Sequence, residues 1–144
     1  ADSCREGAER EGCPVVFQTN QEAMIRNLLL VALGGAVGSV CRYLLSGMNV
    51  ASWPWGTFTV NILGSLIIGL LVGLVSKGIV SPEMKLLLVT GFCGGFTTFS
   101  TFANESFSMM KAGDALQMAL YVGASVVIGI LAVWAGMAMS EAVK

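Results

Sequence analysis

Four runs rich in apolar residues divide the chain. They cover about Ile25 to Gly47, Gly56 to Ser76, Glu83 to Met110 and Ala115 to Met139. A helix rises about 1.5 Å per residue, so roughly 20 apolar residues cross a bilayer core, and each run qualifies. Polar residues and turn formers gather between the runs. The pattern predicts an all-α membrane protein with four transmembrane helices, successive helices being antiparallel neighbours across short connections. Trp53-Pro54-Trp55 marks the interface before the second helix, since tryptophan favours the headgroup zone and proline suits a helix start. Ser81-Pro82-Glu83 reads as the start of the third helix and Gly113-Asp114 as the turn before the fourth.

The interior of the third run breaks the apolar pattern. Gly94-Gly95-Phe96-Thr97-Thr98-Phe99-Ser100-Thr101-Phe102 places adjacent glycines, two pairs of hydroxyl residues and three aromatics where a spanning helix needs uninterrupted hydrogen bonding. This composition predicts a broken third helix. A break at membrane depth is tolerated where it lies against protein or lines a cavity, often as an ion or substrate site. Its first half-helix offers orphan carbonyls to a cation. Its second offers orphan amides at a positive dipole end, which favours an anion. Thr97, Thr98, Ser100 and Thr101 add hydroxyls. Phe99 and Phe102, three apart, share a face, and their positive ring edges suit a small anion.

Helical spacing groups other residues. Gly34, Gly38 and Arg42 share one face, and Gly69 and Gly73 repeat the four-residue step, a pattern that lets helices approach closely. Thr57 and Asn61 share a face of the second helix; Tyr121 and Ser125 share one of the fourth. Asparagine is costly in lipid unless it finds a partner or water, so Asn61 is either an interhelical bond or part of a pore lining. The spacing favours Arg42 snorkelling to the headgroups from the first helix end, the alternative being a positive group at depth. Glu105 either pairs with it or stays near water.

Composition agrees with the pattern: 55 % of residues are hydrophobic and 12 % charged, against roughly 25 % charged in soluble domains, and the mean hydropathy is +0.77. The charge is unevenly placed. Residues 1–23 hold five acids and two bases, the remainder four acids and six bases. The acidic stretch 1–23 has neither the basic start nor the apolar core of a signal peptide. It is expected to be a disordered extension, an upstream mis-start or a cloning remnant, with the membrane domain covering 24–144. Arg26, Lys77, Lys85 and Lys144 fall on the amino-terminal side and Arg42 and Lys111 on the other, a small bias that favours a cytoplasmic amino terminus and leaves insertion in both orientations open. Cys4 and Cys13 could pair in an oxidising compartment, whereas Cys41 and Cys93 read as small buried hydrophobes. With no histidine and no CxxC, a zinc or haem site is not expected. Neither a nucleophile–base pair nor a Walker-type loop is visible, which argues against an enzyme or an ATP-driven pump, and no nucleic-acid partner is expected.

Three segments together resemble the Fluc/CrcB family of fluoride channels. They are Gly94 through Phe102, the stretch from Gly34 to Arg42-Tyr43, and Gly56-Thr57-Phe58-Thr59-Val60-Asn61 with Gly64. The resemblance covers essentially Met24 to the carboxyl end. It implies an antiparallel, dual-topology homodimer in a bacterial inner membrane, with two fluoride pores along the dimer interface. It also implies a structural sodium ion at the dimer centre, held by backbone carbonyls of Gly94 and Thr97. Phe99 and Phe102 would be the pore phenylalanines, Asn61 the pore asparagine and Arg42 the vestibule arginine. Tyr121 and Ser125 would begin a polar track, with Ser100 and Thr101 as nearby donors and Glu105 at an acidic position after the motif. Two departures stand out: Gly129 and Val133 continue the track where relatives can carry hydroxyls, and the acidic leader has no counterpart.

The expected function is passive export of cytoplasmic fluoride. Two other classes fit four short helices. A small dual-topology multidrug transporter needs a carboxylate embedded in its first helix, and none lies between Ile25 and Gly47. A structural subunit of a larger membrane complex would use the polar faces for helix contacts alone.

Overall fold

A computed structural model describes residues 14–47 and 53–143. Cys4, Cys13, Lys144 and the first thirteen residues of the leader lie outside the described residues. Among the described residues every element is helical. Helix α1 is Pro14–Ser46, α2 is Trp55–Ser76, and α3 comprises Pro82–Lys85, Leu86–Cys93 and Gly94–Phe96. Helix α4 is Phe99–Lys111 and α5 is Ala115–Ala142. Four segments are long and apolar enough to cross a membrane: Asn20–Ser46, Trp55–Ser76, Pro82–Lys111 and Ala115–Ala142. The protein is thus a multi-pass membrane protein. Helix α1 starts ahead of Met24, at Pro14, and its membrane-length apolar stretch begins at Asn20.

Local signals explain the ends. The Ser81 hydroxyl accepts from the Met84 amide at 3.3 Å, with Pro82 in the first turn, where its missing N–H costs nothing. The turns before α3 and α5 hold Gly78 and Gly113 at φ of 71° and 84°, the left-handed region that glycine enters freely. Lys77 closes the carboxyl end of α5: its Nζ donates to the carbonyls of Ser140, Glu141 and Val143 at 2.7, 3.2 and 2.9 Å.

Packing is set by small residues. Helix α2 lies most extensively on α5, and α1 on the middle of α3. A Cβ on Gly69 would collide with the Val133 carbonyl and one on Gly136 with the Leu66 carbonyl, so α2 and α5 meet backbone to backbone. Gly34 and Gly38 of α1 face the Leu87 and Phe92 carbonyls just as closely. Leu86–Cys93 is wound as a π-helix, a form most often seen as a single bulged turn near functional segments. Large apolar side chains stay exposed along the helices, from Leu28, Leu33 and Val40 on α1 to Ile130 and Trp134 on α5, as a lipid-facing surface requires.

Candidate functional site

The third span is interrupted at two residues. Helix α3 ends at Phe96, Thr97 takes φ −77° and ψ 158°, Thr98 takes φ −146° and ψ 116°, and α4 begins at Phe99. Extended backbone inside a span needs replacement partners, and they are specific. Asn61 on α2 clamps the Thr98 backbone from both sides: its Oδ1 accepts from the Thr98 amide at 2.9 Å and its Nδ2 donates to the Thr98 carbonyl at 3.1 Å. Thr98 also caps α4, its Oγ1 accepting from the Thr101 amide at 3.3 Å and donating to the Thr101 hydroxyl at 3.0 Å. The Thr97 hydroxyl donates back to the Cys93 carbonyl at 2.9 Å, beside the Thr97 amide, which donates to the same oxygen at 3.0 Å. Gly64 makes room for the turn: a Cβ there would collide with Thr97 Cγ2 and lie 3.3 Å from the Phe96 ring.

A second polar cluster lies along α2, α4 and α5. Glu105 accepts from the Thr57 hydroxyl at 2.8 Å through one carboxylate oxygen and from the Tyr121 hydroxyl at 2.9 Å through the other. Thr57 and Tyr121 are fully buried. Phe102 connects this cluster to the interruption, its ring 5.2 Å from that of Tyr121 and 5.9 Å from that of Phe99. Ser125, one turn beyond Tyr121, has its hydroxyl enclosed without a partner. Phe99 is 80 % exposed, and Gly94, Ser100 and Thr101 are exposed beside it. A shallow groove of about 280 Å³ bordered by Asn61, Ser65, Ile68, Thr98 and Phe99 opens along the same face.

Arg42 turns inward. Its Nη1 donates to the Thr97 carbonyl at 3.4 Å, in place of the snorkelling that its spacing favours. Its positive charge therefore sits at the negative dipole end of α3. Glu105 does not pair with Arg42; its carboxylate accepts from two hydroxyls instead.

A family model described as CrcB-like protein, Camphor Resistance (CrcB), matches residues 29–137. Three curated relatives, each named "Fluoride-specific ion channel FluC", align over nearly their whole lengths. The protein of Phocaeicola vulgatus is 47 % identical over 121 residues, covering 81 % of this chain and 100 % of the relative. That of Methanopyrus kandleri is 49 % identical, covering 82 % and 92 %, and that of Agrobacterium fabrum 51 %, covering 80 % and 96 %. The chain belongs to the CrcB family. The matched region contains the interruption, the Asn61 clamp and the Glu105 cluster, so these features lie within the CrcB domain rather than in an appended segment.

The structure links Phe99, Phe102, Tyr121, Glu105 and Thr57 in one run of contacts, sets Asn61 against the Thr98 backbone and places Arg42 on the Thr97 carbonyl. Ser125 adjoins that run without bonding to it. The fold in this CrcB protein uses both Asn61 polar atoms on backbone, so the residue acts first as a brace for the break. Three participants were not legible as site residues. Gly64 enters the sequence reading only as part of the second-helix motif, Trp53 only as an interfacial anchor, and the Cys93 carbonyl has no sequence signal at all. For a cation, the donor chemistry of the α3 end fits: backbone carbonyl oxygens suit a hard ion such as sodium. Space beyond Gly94 is open, because a Cβ there would meet nothing within 4 Å. One lone pair of the Thr97 oxygen is already taken by Arg42.

Proposed function

We propose that this CrcB protein is a fluoride channel that lets cytoplasmic fluoride leave a bacterial cell through the inner membrane. The carrying observation is the identity of 47–51 % to proteins named fluoride-specific ion channels, extending over 92–100 % of their lengths. The physical logic is weak-acid trapping. Hydrogen fluoride crosses membranes uncharged and ionises in the neutral cytoplasm. A selective leak then lets the membrane potential, negative inside, expel the anion, at about 2.3 kcal/mol per charge per 100 mV.

In this reading fluoride moves along the exposed face that carries Phe99, Ser100, Thr101 and Phe102 and continues past Tyr121 and Ser125. Ring edges and hydroxyls stabilise a small anion without the full positive charge that would hold it. Asn61 shapes the break through its two bonds to the Thr98 backbone. The face is incomplete in one subunit, so the pore is closed by a second copy in antiparallel orientation, giving a dual-topology homodimer with two pores. A sodium ion at the dimer centre is bound by the Gly94 and Thr97 carbonyls of both copies; bound there, it supplies a fixed positive charge that holds the two breaks together. Arg42 adds positive charge at the approach.

Growth tests the proposal. Expression in a bacterium deprived of its own fluoride exporter is expected to restore growth at fluoride levels that arrest the empty-vector strain. Continued arrest, with the protein present in the membrane, would contradict it.

A further inference from the structure

Trp53 stands at the start of α2, where a tryptophan ordinarily anchors in the headgroup zone with its indole N–H towards water or lipid. Here the Nε1 atom is enclosed and has no partner, so it reaches neither. The ring instead packs edge-on against Tyr121, at 5.6 Å between centroids and 84° between planes. Tyr121 is fully buried, and Phe102 holds its ring on another side at 5.2 Å. Its hydroxyl has one outlet, Glu105, at 2.9 Å. Trp53 is itself fixed by the Trp55 amide donating to its carbonyl at 2.9 Å, by the buried Pro54 that follows it, and by the Trp55 ring at 5.9 Å.

We infer that Trp53 is a positioning residue: it acts through Tyr121, holding the phenol hydroxyl on Glu105 and so fixing the direction of the hydroxyls along the ion path. Leaving an indole N–H unpaired is unfavourable, so the ring's shape rather than its donor is what the site uses. The role is one of packing geometry, because an edge-to-face contact constrains the tilt of the ring it meets. This inference rests on the channel reading.

Fluoride efflux from proteoliposomes, measured for Trp53→Leu, Tyr121→Phe, the double variant and Trp53→Phe, tests it. Trp53→Leu is expected to slow efflux roughly three- to tenfold, the population change that losing one aromatic pair produces. In the Tyr121→Phe background the same substitution is expected to cost less than about twofold, because the hydroxyl it positions is gone. Trp53→Phe, which keeps a ring and drops the unpaired N–H, is expected to recover most of the flux. Should the leucine variant fail to fold, Trp53→Met carries the same test. Equal losses in both backgrounds, or a Trp53→Phe variant as slow as Trp53→Leu, would overturn the inference. Wild-type vesicles that pass no fluoride would overturn the channel reading, and this inference with it.

Discussion

Replacing Asn61 with leucine separates bracing from lining. The substitution removes both contacts to the Thr98 backbone, at 2.9 and 3.1 Å. Thr98 is only 6 % exposed, so water does not readily replace them. Each buried backbone group left unpaired costs about 1–3 kcal/mol, while interhelical polar contacts in membrane proteins average nearer 0.6 kcal/mol because the unfolded chain finds other partners. Two such contacts, one on each peptide group flanking the Thr98 Cα, give an expected loss of about 2–4 kcal/mol. Steric clash adds little, since leucine can extend into the groove of about 280 Å³ beside Asn61. The assay is reversible unfolding in mixed micelles, paired with hydrogen exchange at the Thr98 amide. Ser65→Ala is the control: its hydroxyl donates only to the Asn61 carbonyl one turn back, at 2.7 Å, and its loss should cost no more than about 0.5 kcal/mol. Unchanged exchange at Thr98 with a stability loss equal to that of the control would refute the bracing argument.

Further outcomes follow from the same geometry. Gly64→Ala drives a methyl into Thr97, so the break must shift; a loss of about 1–3 kcal/mol and slower fluoride efflux are expected, read by unfolding and by a fluoride electrode. Glu105→Gln leaves one carbonyl oxygen to serve two hydroxyl donors and turns an NH₂ towards the other, so Thr57 or Tyr121 loses its acceptor; unfolding should register about 1–3 kcal/mol. Phe102→Ile removes the ring that joins Phe99 to Tyr121, and fluoride flux should fall while the gel-filtration volume stays that of the unsubstituted protein. Exchanging sodium for a large organic cation should lower the unfolding temperature of the purified protein, and an unchanged temperature would count against the central ion.

The helices were legible because a membrane span must be long and apolar. The third helix start was legible because Ser81-Pro82 is a local signal, its cap lying three residues from the amide it serves. The place of the interruption was legible for the same kind of reason: hydroxyl residues beside paired glycines weaken a helix locally. What escaped was pairing over distance. Asn61 and Thr98 are 37 residues apart, and helical periodicity states which face a side chain shares, not which neighbour it meets. Glu105 satisfied by Thr57 and Tyr121, Arg42 turned to the Thr97 carbonyl, and Trp53 turned inward all depend on that missing choice of neighbour. The π-wound segment Leu86–Cys93 escaped for another reason: a short run that is apolar but for Thr90 and Gly91 carries the same pattern whether its backbone bonds span four residues or five.

Fluoride efflux from proteoliposomes, followed with a fluoride-selective electrode, tests the central claim most directly. Vesicles loaded with fluoride and clamped by a potassium gradient should release it rapidly and passively, with chloride retained under the same voltage. Release no faster than from protein-free vesicles, or equal release of chloride, would contradict the account.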